Sequence, residues 1–240
     1  MTKRIVIPVL AATVLGISLA GCVPIYHPNA TGPRVTDDRD IDNVEAVEVR
    51  TDGDLTVTLG DTPSLTIKAP QYVIDRLTSD VIDGVLVLSV KGPQLGFGLG
   101  DIDYELTVPR LSDVSVEGSS DVTADFSGAD DVTISIDGTG DVDGRNIDAE
   151  TVTTSVDGSG DIDLEGSTDT QTIDIDGSAD FGGDDLISRS TTIDLSGSGD
   201  LEVHATETLD VDLSGSGEVR YRGGAKVTSD ISGSGTVIQD

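Results

Sequence analysis

Apolar and polar residues alternate along most of this chain, and from Leu111 onward the alternation is organised into copies of one phrase. The phrase is an apolar residue, any residue, Gly, Ser or Thr, a small residue, usually Asp, then another apolar residue. Its glycines are Gly118, Gly138, Gly158, Gly177, Gly197, Gly215 and Gly233, spaced 20, 20, 19, 20, 18 and 18 residues apart. A period of this length is the signature of solenoid coils. Counting from the glycine, position −2 holds Val116, Ile136, Val156, Ile175, Leu195, Leu213 and Ile231. Position +4 holds Val122, Val142, Ile162, Phe181, Leu201, Val219 and Val237. Both columns are apolar in every copy, as coils require when one side of each strand packs against a common axis. At −4 the column is apolar except for Thr154 and Ser229, and the Ser and Asp residues at −3 face solvent. Position +1 is always Ser or Thr, so its hydroxyls are expected to stack from rung to rung and cap backbone groups at the corner. The pattern predicts an all-β fold, a parallel β-helix with rungs of 18–20 residues over 111–240.

Upstream, the period is two. Val47 and Val49, then Leu55, Val57 and Leu59, then Leu65 and Ile67 alternate with polar neighbours, with turn signals at Asp52-Gly53, Gly60-Asp61 and Asp83-Gly84. Such runs predict half-buried strands. The strand Val85–Val90 is apolar on both faces and is expected to be central. Residues 73–77 are compatible with a single helical turn. Gln94 to Gly100 is rich in glycine but has no Gly-Lys-Ser/Thr ending and no helix after it, so it reads as a surface loop and not as a nucleotide cradle. Tyr104–Val108 is the last strand before the repeats.

Charge narrows the classes of function. The 240 residues carry 14 Lys and Arg against 45 Asp and Glu, a formal net charge of −31. Nucleic acid binding rests on neutralising phosphates with cations, and this composition excludes it. Cations or a basic partner are the natural complement. The acids are ordered: position +3 of the repeat holds Asp121, Asp141, Asp161, Asp180, Asp200 and Glu218, ending in Thr236. Position −1 begins with Glu117, Asp137, Asp157 and Asp176 and turns to serine afterwards. Stacked in register, like carboxylates would lie about 5 Å apart, each pair costing on the order of 1 kcal/mol in a water-like medium. Two readings follow. Calcium, which favours stacked hard oxygen ligands, would relieve the repulsion at the +3 column; alternatively, these are solvated turn aspartates that need no ion.

The N-terminus supplies an address. Lys3 and Arg4 precede a short apolar run, Ile5 to Ile17, which is too short for a comfortable membrane span, and a small-residue cleavage site follows. The sequence Leu19-Ala20-Gly21-Cys22 resembles the bacterial lipobox, and Cys22 is the single cysteine of the chain. That resemblance implies cleavage between Gly21 and Cys22 and acylation of the Cys22 thiol. It places the protein on the extracytoplasmic face of a cell membrane, held by its acyl chains. Residues 1–21 are then a signal peptide and 22–43 the acylated cysteine with an extended tether containing Pro24, Pro28 and Pro33.

Three features in order resemble the bacterial GIN-domain family, labelled as an autotransporter adhesin head. They are Asp-Gly-Val-Leu-Val-Leu-Ser-Val at 83–90, Tyr-Glu-Leu-Thr-Val-Pro-Arg-Leu at 104–111, and the repeated Gly-Ser-Gly-Asp. The resemblance runs from about Val44 to the C-terminus, as one domain with N-terminal strands at 44–110. It implies a right-handed parallel β-helix that is secreted or lipid-anchored, and it brings no catalytic residues.

Catalytic chemistry has little to build on. The histidines are His27, in the tether, and His204, after an outward-facing strand position, so neither a triad nor a zinc site is expected. Paired carboxylates such as Asp141 with Asp161, or Asp161 with Asp163, are the remaining route to a polysaccharide-acting enzyme. However, these acids recur in every rung, whereas a site is a departure from a repeat. The expectation is therefore a non-enzymatic envelope lipoprotein without an obligatory cofactor. It would present an acidic solenoid for binding or adhesion to an envelope protein or glycan. The alternative is a passive structural or cation-binding component. One departure from the acidic pattern stands out: Arg220-Tyr221-Arg222, read either as a binding patch or as a C-terminal cap.

Overall fold

The computed structural model describes residues 33–92 and 99–240. The signal peptide, Gly21, Cys22 and most of the Gln94–Gly100 loop lie outside the described residues.

Two strand stacks build the solenoid. One contains β6 (Val85–Val90), β2 (Ala46–Val49), β8 (Asp113–Gly118) and β10 (Asp131–Gly138). It continues through the second halves of β11 (Val142–Gly158), β12 (Ile162–Gly177), β13 (Phe181–Gly197) and β14 (Asp200–Gly215), and ends at β16 (Lys226–Gly233). The other contains β7 (Asp103–Val108), β3 (Asp54–Leu59) and β9 (Val122–Asp125). The first halves of β11 to β14 follow, then β15 (Glu218–Arg222) and β17 (Thr236–Gln239). All of these neighbours are parallel. Glycine pairs with glycine across the stack, Gly118 to Gly138 to Gly158 to Gly177 to Gly197 to Gly215 to Gly233. The parallel β-solenoid expected from the period is therefore present, in the expected register.

Stacking order departs from chain order at the N-terminal end. The β2–β3 rung lies between the β6–β7 and β8–β9 rungs. The intervening chain returns through β4 (Ser64–Pro70), antiparallel to β7, and β5 (Leu77–Ile82), antiparallel to β6. Between them α1 (Gln71–Ile74) is the single helical turn, two residues earlier than the sequence suggests, and it buries Val73 and Ile74. Strand β6 is flanked on both sides, by β5 and β2, with Leu86, Val87 and Leu88 buried. Part of the span expected as tether is a paired strand. Arg34–Arg39 forms β1, antiparallel to β4, because the outer edge of β4 is free to pair and Arg39 bonds the Ile74 carbonyl and the Ser79 hydroxyl.

The columns explain burial. Val116, Ile136, Val156, Ile175, Leu195 and Leu213 at −2 are each 2 % exposed or less. Those at +4 from Val122 to Val219 are equally buried. Thr154, the polar exception at −4, points inward and is fully buried. A second buried polar group lies one side chain along the rungs, where the column Val132, Val152, Gln171, Thr191, Leu209 turns polar twice. Those two answer each other: the Thr191 hydroxyl donates to Gln171 Oε1 at 3.2 Å and shares a bond with Ser188. That bond satisfies Gln171 Oε1, whereas Gln171 Nε2 and the Thr154 hydroxyl are buried without a partner, a cost that the surrounding core offsets.

At the corner the repeated glycine has one task. Gly158 has φ of +144°, a conformation that a side chain disfavours, and a Cβ there would overlap the Gly138 carbonyl oxygen. That same oxygen accepts the Ser159 amide at 2.9 Å. The bond recurs from Thr139 to Gly118, Ser178 to Gly158, Ser198 to Gly177, Ser216 to Gly197 and Ser234 to Gly215, at 2.8–3.0 Å. Backbone amides at +1, and not the stacked hydroxyls expected there, therefore satisfy the corner carbonyls. Gly158→Ala should cost about 2–3 kcal/mol, combining strain with overlap. Gly84→Ala, at φ +88° with open space around it, carries strain alone, about 1–2 kcal/mol. Thermal melts of the two variants check this; equal losses would show that conformation alone, without close stacking, sets the cost.

Candidate functional surface

The +3 column lies at the corner where one rung passes to the next strand, and Asp121, Asp141, Asp161, Asp180 and Asp200 are all exposed, with Glu218 half-buried. Each rung turns there, which leaves the +3 amide without a strand partner. The carboxylate one rung back takes it. Asp141 Oδ1 accepts the Asp161 amide at 2.9 Å, Asp161 Oδ1 the Asp180 amide at 3.3 Å, and Asp180 Oδ1 the Asp200 amide at 2.9 Å. The +3 carbonyls of Asp141, Asp161 and Asp180 meanwhile accept the amides of Val122, Val142 and Ile162 at 2.8–3.0 Å. Each of these hydrogen bonds to a carboxylate offsets part of the repulsion within the column. Where the column loses Asp, the bonding changes. The Glu218 and Thr236 amides donate to the carbonyls of Gly199 and Gly217 at 3.3 and 3.1 Å. Asp141, Asp161 and Asp180 are thus backbone acceptors, a role that needs no cation.

A second acidic column runs beside it at +5: Thr123, Asp143, Asp163, Gly182, Glu202 and Arg220 pair in that order across the sheet. Asp163 is the crowded member. Burial, followed by the charges of Asp143, Asp161, Asp184 and Asp141, pushes its carboxyl above the usual range. Its carboxylate leans into the space over Gly182, where a Cβ would overlap Asp163 Oδ1. The missing side chain opens a groove of about 310 Å³ lined by Asp143, Arg145, Asp163, Glu165, Asp184 and Asp185, among others. A second open groove, of about 220 Å³, follows Asp121, Asp141, Asp143, Asp161 and Asp163. Among the described residues, no group of three or more His, Cys, Asp or Glu side chains is arranged to hold a metal ion. The acids form lines on a surface, not a cage.

Arg220, Tyr221 and Arg222 do not form a free basic patch. Arg220 pairs with Glu202 at 3.2 Å and with Glu218, and Arg222 pairs with Asp184 at 2.7 Å. The Tyr221 hydroxyl lies 3.4 Å from Gln239 Oε1. They are not a cap either, because β17 stacks beyond them. Arg189 behaves similarly, bridging Glu207 at 2.9 Å and Asp169 at 3.4 Å. These arginines tie acids of neighbouring rungs. The sequence signal for them is a charge of opposite sign about one period away, 18 residues for Arg220 with Glu202 and for Arg189 with Glu207.

Fold and surface together define a repeat solenoid that carries ordered acidic lines and open grooves. Residues 43–225 match the family described as "Putative auto-transporter adhesin, head GIN domain", and the chain belongs to that family. Among solved structures, a "putative adhesin" from Bacteroides fragilis is similar, with TM-score 0.83 and 22% identity, covering 88% of this chain and 99% of that one. A "putative lipid binding protein" from Parabacteroides distasonis has TM-score 0.71 and 20% identity, with 88% and 98% covered. A "putative adhesin" from Parabacteroides merdae has TM-score 0.69 and 19% identity, with the same coverage. At these identities the likeness concerns the fold. No curated protein matches the chain.

Two predictions follow from the acidic lines. Calcium and magnesium at matched ionic strength should raise the melting temperature equally, by screening; a gain specific to calcium would require a cage that the lines do not form. Asp163→Asn should raise the melting temperature at about pH 7 and lose that advantage toward about pH 4. The folded state holds the Asp163 proton more tightly than the unfolded chain does. Its contribution to stability is therefore fullest in acid and is lost as pH rises through the raised folded value. Melts of wild type and variant across that range check the sign.

Proposed function

We propose that this protein is a non-enzymatic cell-envelope lipoprotein, acylated at Cys22, that displays its acidic solenoid outside the cytoplasmic membrane as a binding or adhesion module. The observation that carries the binding reading is the acidic face itself. The +3 carboxylates from Asp121 to Asp200 are exposed and continuous over five rungs, with Asp143 and Asp163 paired beside them at +5. A surface of this kind suits an extended partner bearing repeated positive charge, such as a basic segment of an envelope protein, better than a small molecule. Membership of the adhesin-head family supports the same class, as do the adhesins among its structural neighbours. The lipobox-like Leu19-Ala20-Gly21-Cys22 supports the anchor. Among the described residues, no helix is long and apolar enough to cross a membrane.

The reading against enzyme activity rests on the roles found for the acids. Asp141 and Asp161 are occupied as backbone acceptors, and Asp163 sits in an open acidic groove. The anchor is tested by fractionation: Cys22→Ala should move the protein from the membrane to the soluble fraction, and persistent membrane association would overturn the assignment. The binding role is tested with labelled protein on intact envelope. Asp143→Asn combined with Asp163→Asn should weaken attachment without lowering the melting temperature, and raised salt should weaken it further. Attachment unchanged by both would contradict the acidic-face reading.

A further inference from the structure

Two cations at the N-terminal end of the solenoid differ from the rest. Among the described residues, every Lys and Arg is ion-paired with a carboxylate except Arg76, Lys91 and Lys226. Lys226 is by itself on β16, whereas Arg76 and Lys91 are neighbours. They sit at the open end of the β5–β6 hairpin, next to the Leu77–Val90 pair, and the Lys91 amide donates to the Arg76 carbonyl at 2.8 Å. The guanidinium is held in place, with Arg76 Nε and Nη2 donating to the Lys91 carbonyl at 3.3 and 3.2 Å. Lys91 is exposed and Arg76 half-buried. The hairpin's own acids lie away from the pair: Asp80 is opposite Val87 and Asp83 is in the turn. Asp75, beside Arg76, is exposed.

Apolar side chains accompany the pair. Tyr72, four residues before Arg76, is 50% exposed, and its hydroxyl donates to the Leu99 carbonyl at 3.3 Å. On β5, Val81 and Ile82 are exposed. Cations beside an exposed tyrosine suit a bilayer interface, where aromatic rings sit at headgroup level and Lys and Arg meet anionic lipid. Charge balance agrees. Residues 64–92 carry 3 Lys and Arg against 3 Asp and Glu, whereas 111–240 carry 5 against 30. The acidic repeats begin at β8, reached from β5 through β6 and β2. Three strand spacings make about 14 Å, more than the Debye length of about 8 Å in physiological salt. The acidic lines are therefore largely screened from this end.

Chain connectivity brings the same end toward the anchor. The Pro33 carbonyl accepts the Gln71 amide at 3.2 Å, so the chain coming from Cys22 joins the fold at α1, next to Tyr72. Pro33 is 11 residues after Cys22, a reach of at most about 40 Å. We infer that the α1–β5 end is a membrane-facing surface, on which Arg76 and Lys91 bind the phosphates of anionic lipid headgroups and Tyr72 enters the interface. The inference rests on acylation of Cys22. It gives the solenoid an orientation: the capped end lies against the bilayer, and the acidic lines extend outward, where a basic partner can reach them.

Fluorescence quenching tests this. The acylated full chain, labelled at Gln71→Cys or, at the other end, at Thr228→Cys, is reconstituted into vesicles of phosphatidylcholine and phosphatidylglycerol that contain a headgroup-spin-labelled lipid. The Gln71 label should be quenched severalfold more strongly than the Thr228 label. Arg76→Glu with Lys91→Glu, at an unchanged circular dichroism spectrum, should lower quenching at Gln71 severalfold, and so should vesicles of phosphatidylcholine alone. Flotation of protein with the vesicles reports the anchor separately and should persist in every case. Flotation with equal quenching at the two sites, or quenching at Gln71 that either change leaves intact, would overturn the proposal and leave the anchor standing. A chain that does not float would remove the anchor and this orientation with it.

Discussion

Close backbone contact at the glycine corner is the constraint on which the rest depends. From Gly138 onward, each repeated glycine places its α-carbon so near the carbonyl of the glycine one rung below that no side chain fits, and the next amide bonds that carbonyl. This fixes the vertical register of every rung. Once register is fixed, residues at the same distance from the glycine must stack in columns, and the chemistry of a column becomes a property of the whole molecule. Apolar columns at −2 and +4 become a continuous core, whereas charged columns become lines of like charge.

How a chain so acidic tolerates those lines is answered locally. At +3, Asp141, Asp161 and Asp180 each accept the amide that the turning backbone leaves free, so three carboxylates are bonded along the axis. Beside it Gly182 interrupts the +5 column and gives the Asp163 carboxylate room. Farther along, Arg189, Arg220 and Arg222 pair with acids of neighbouring rungs. Exposed pairs of this kind each contribute little to stability. Their value here is that they reduce repulsion between strands that have no freedom to move apart.

Much of this was legible in the sequence because period and register are the same information. The glycine spacing, the buried columns and the outward +3 acids follow from counting residues. What could not be counted was the partner of each group. A hydroxyl at every +1 position suggested side-chain capping, but the +1 amide performs it, and the sequence does not distinguish a side chain from the backbone beneath it. The same limit hid the +3 carboxylates' role as acceptors. Arg220-Tyr221-Arg222 looked unique when read along the chain, but its acids, Glu202 and Asp184, lie one and two rungs back. The N-terminal cap was least visible. Placing β2–β3 between later rungs, and recruiting Arg34–Arg39 as an edge strand, are long-range choices that local alternation does not encode.

The resulting picture is a scaffold that spends its glycines on register and displays carboxylates at strand spacing. The central claim is that the +3 carboxylates are part of the backbone bonding of the solenoid. Amide hydrogen exchange at Asp161 tests it most directly. In Asp141→Ala the Asp161 amide should lose protection, while the Asp200 amide, which is bonded by Asp180, keeps it; Asp141→Asn, which retains an acceptor oxygen, should preserve both. An Asp161 amide that exchanges at the same rate in wild type and Asp141→Ala would contradict the account.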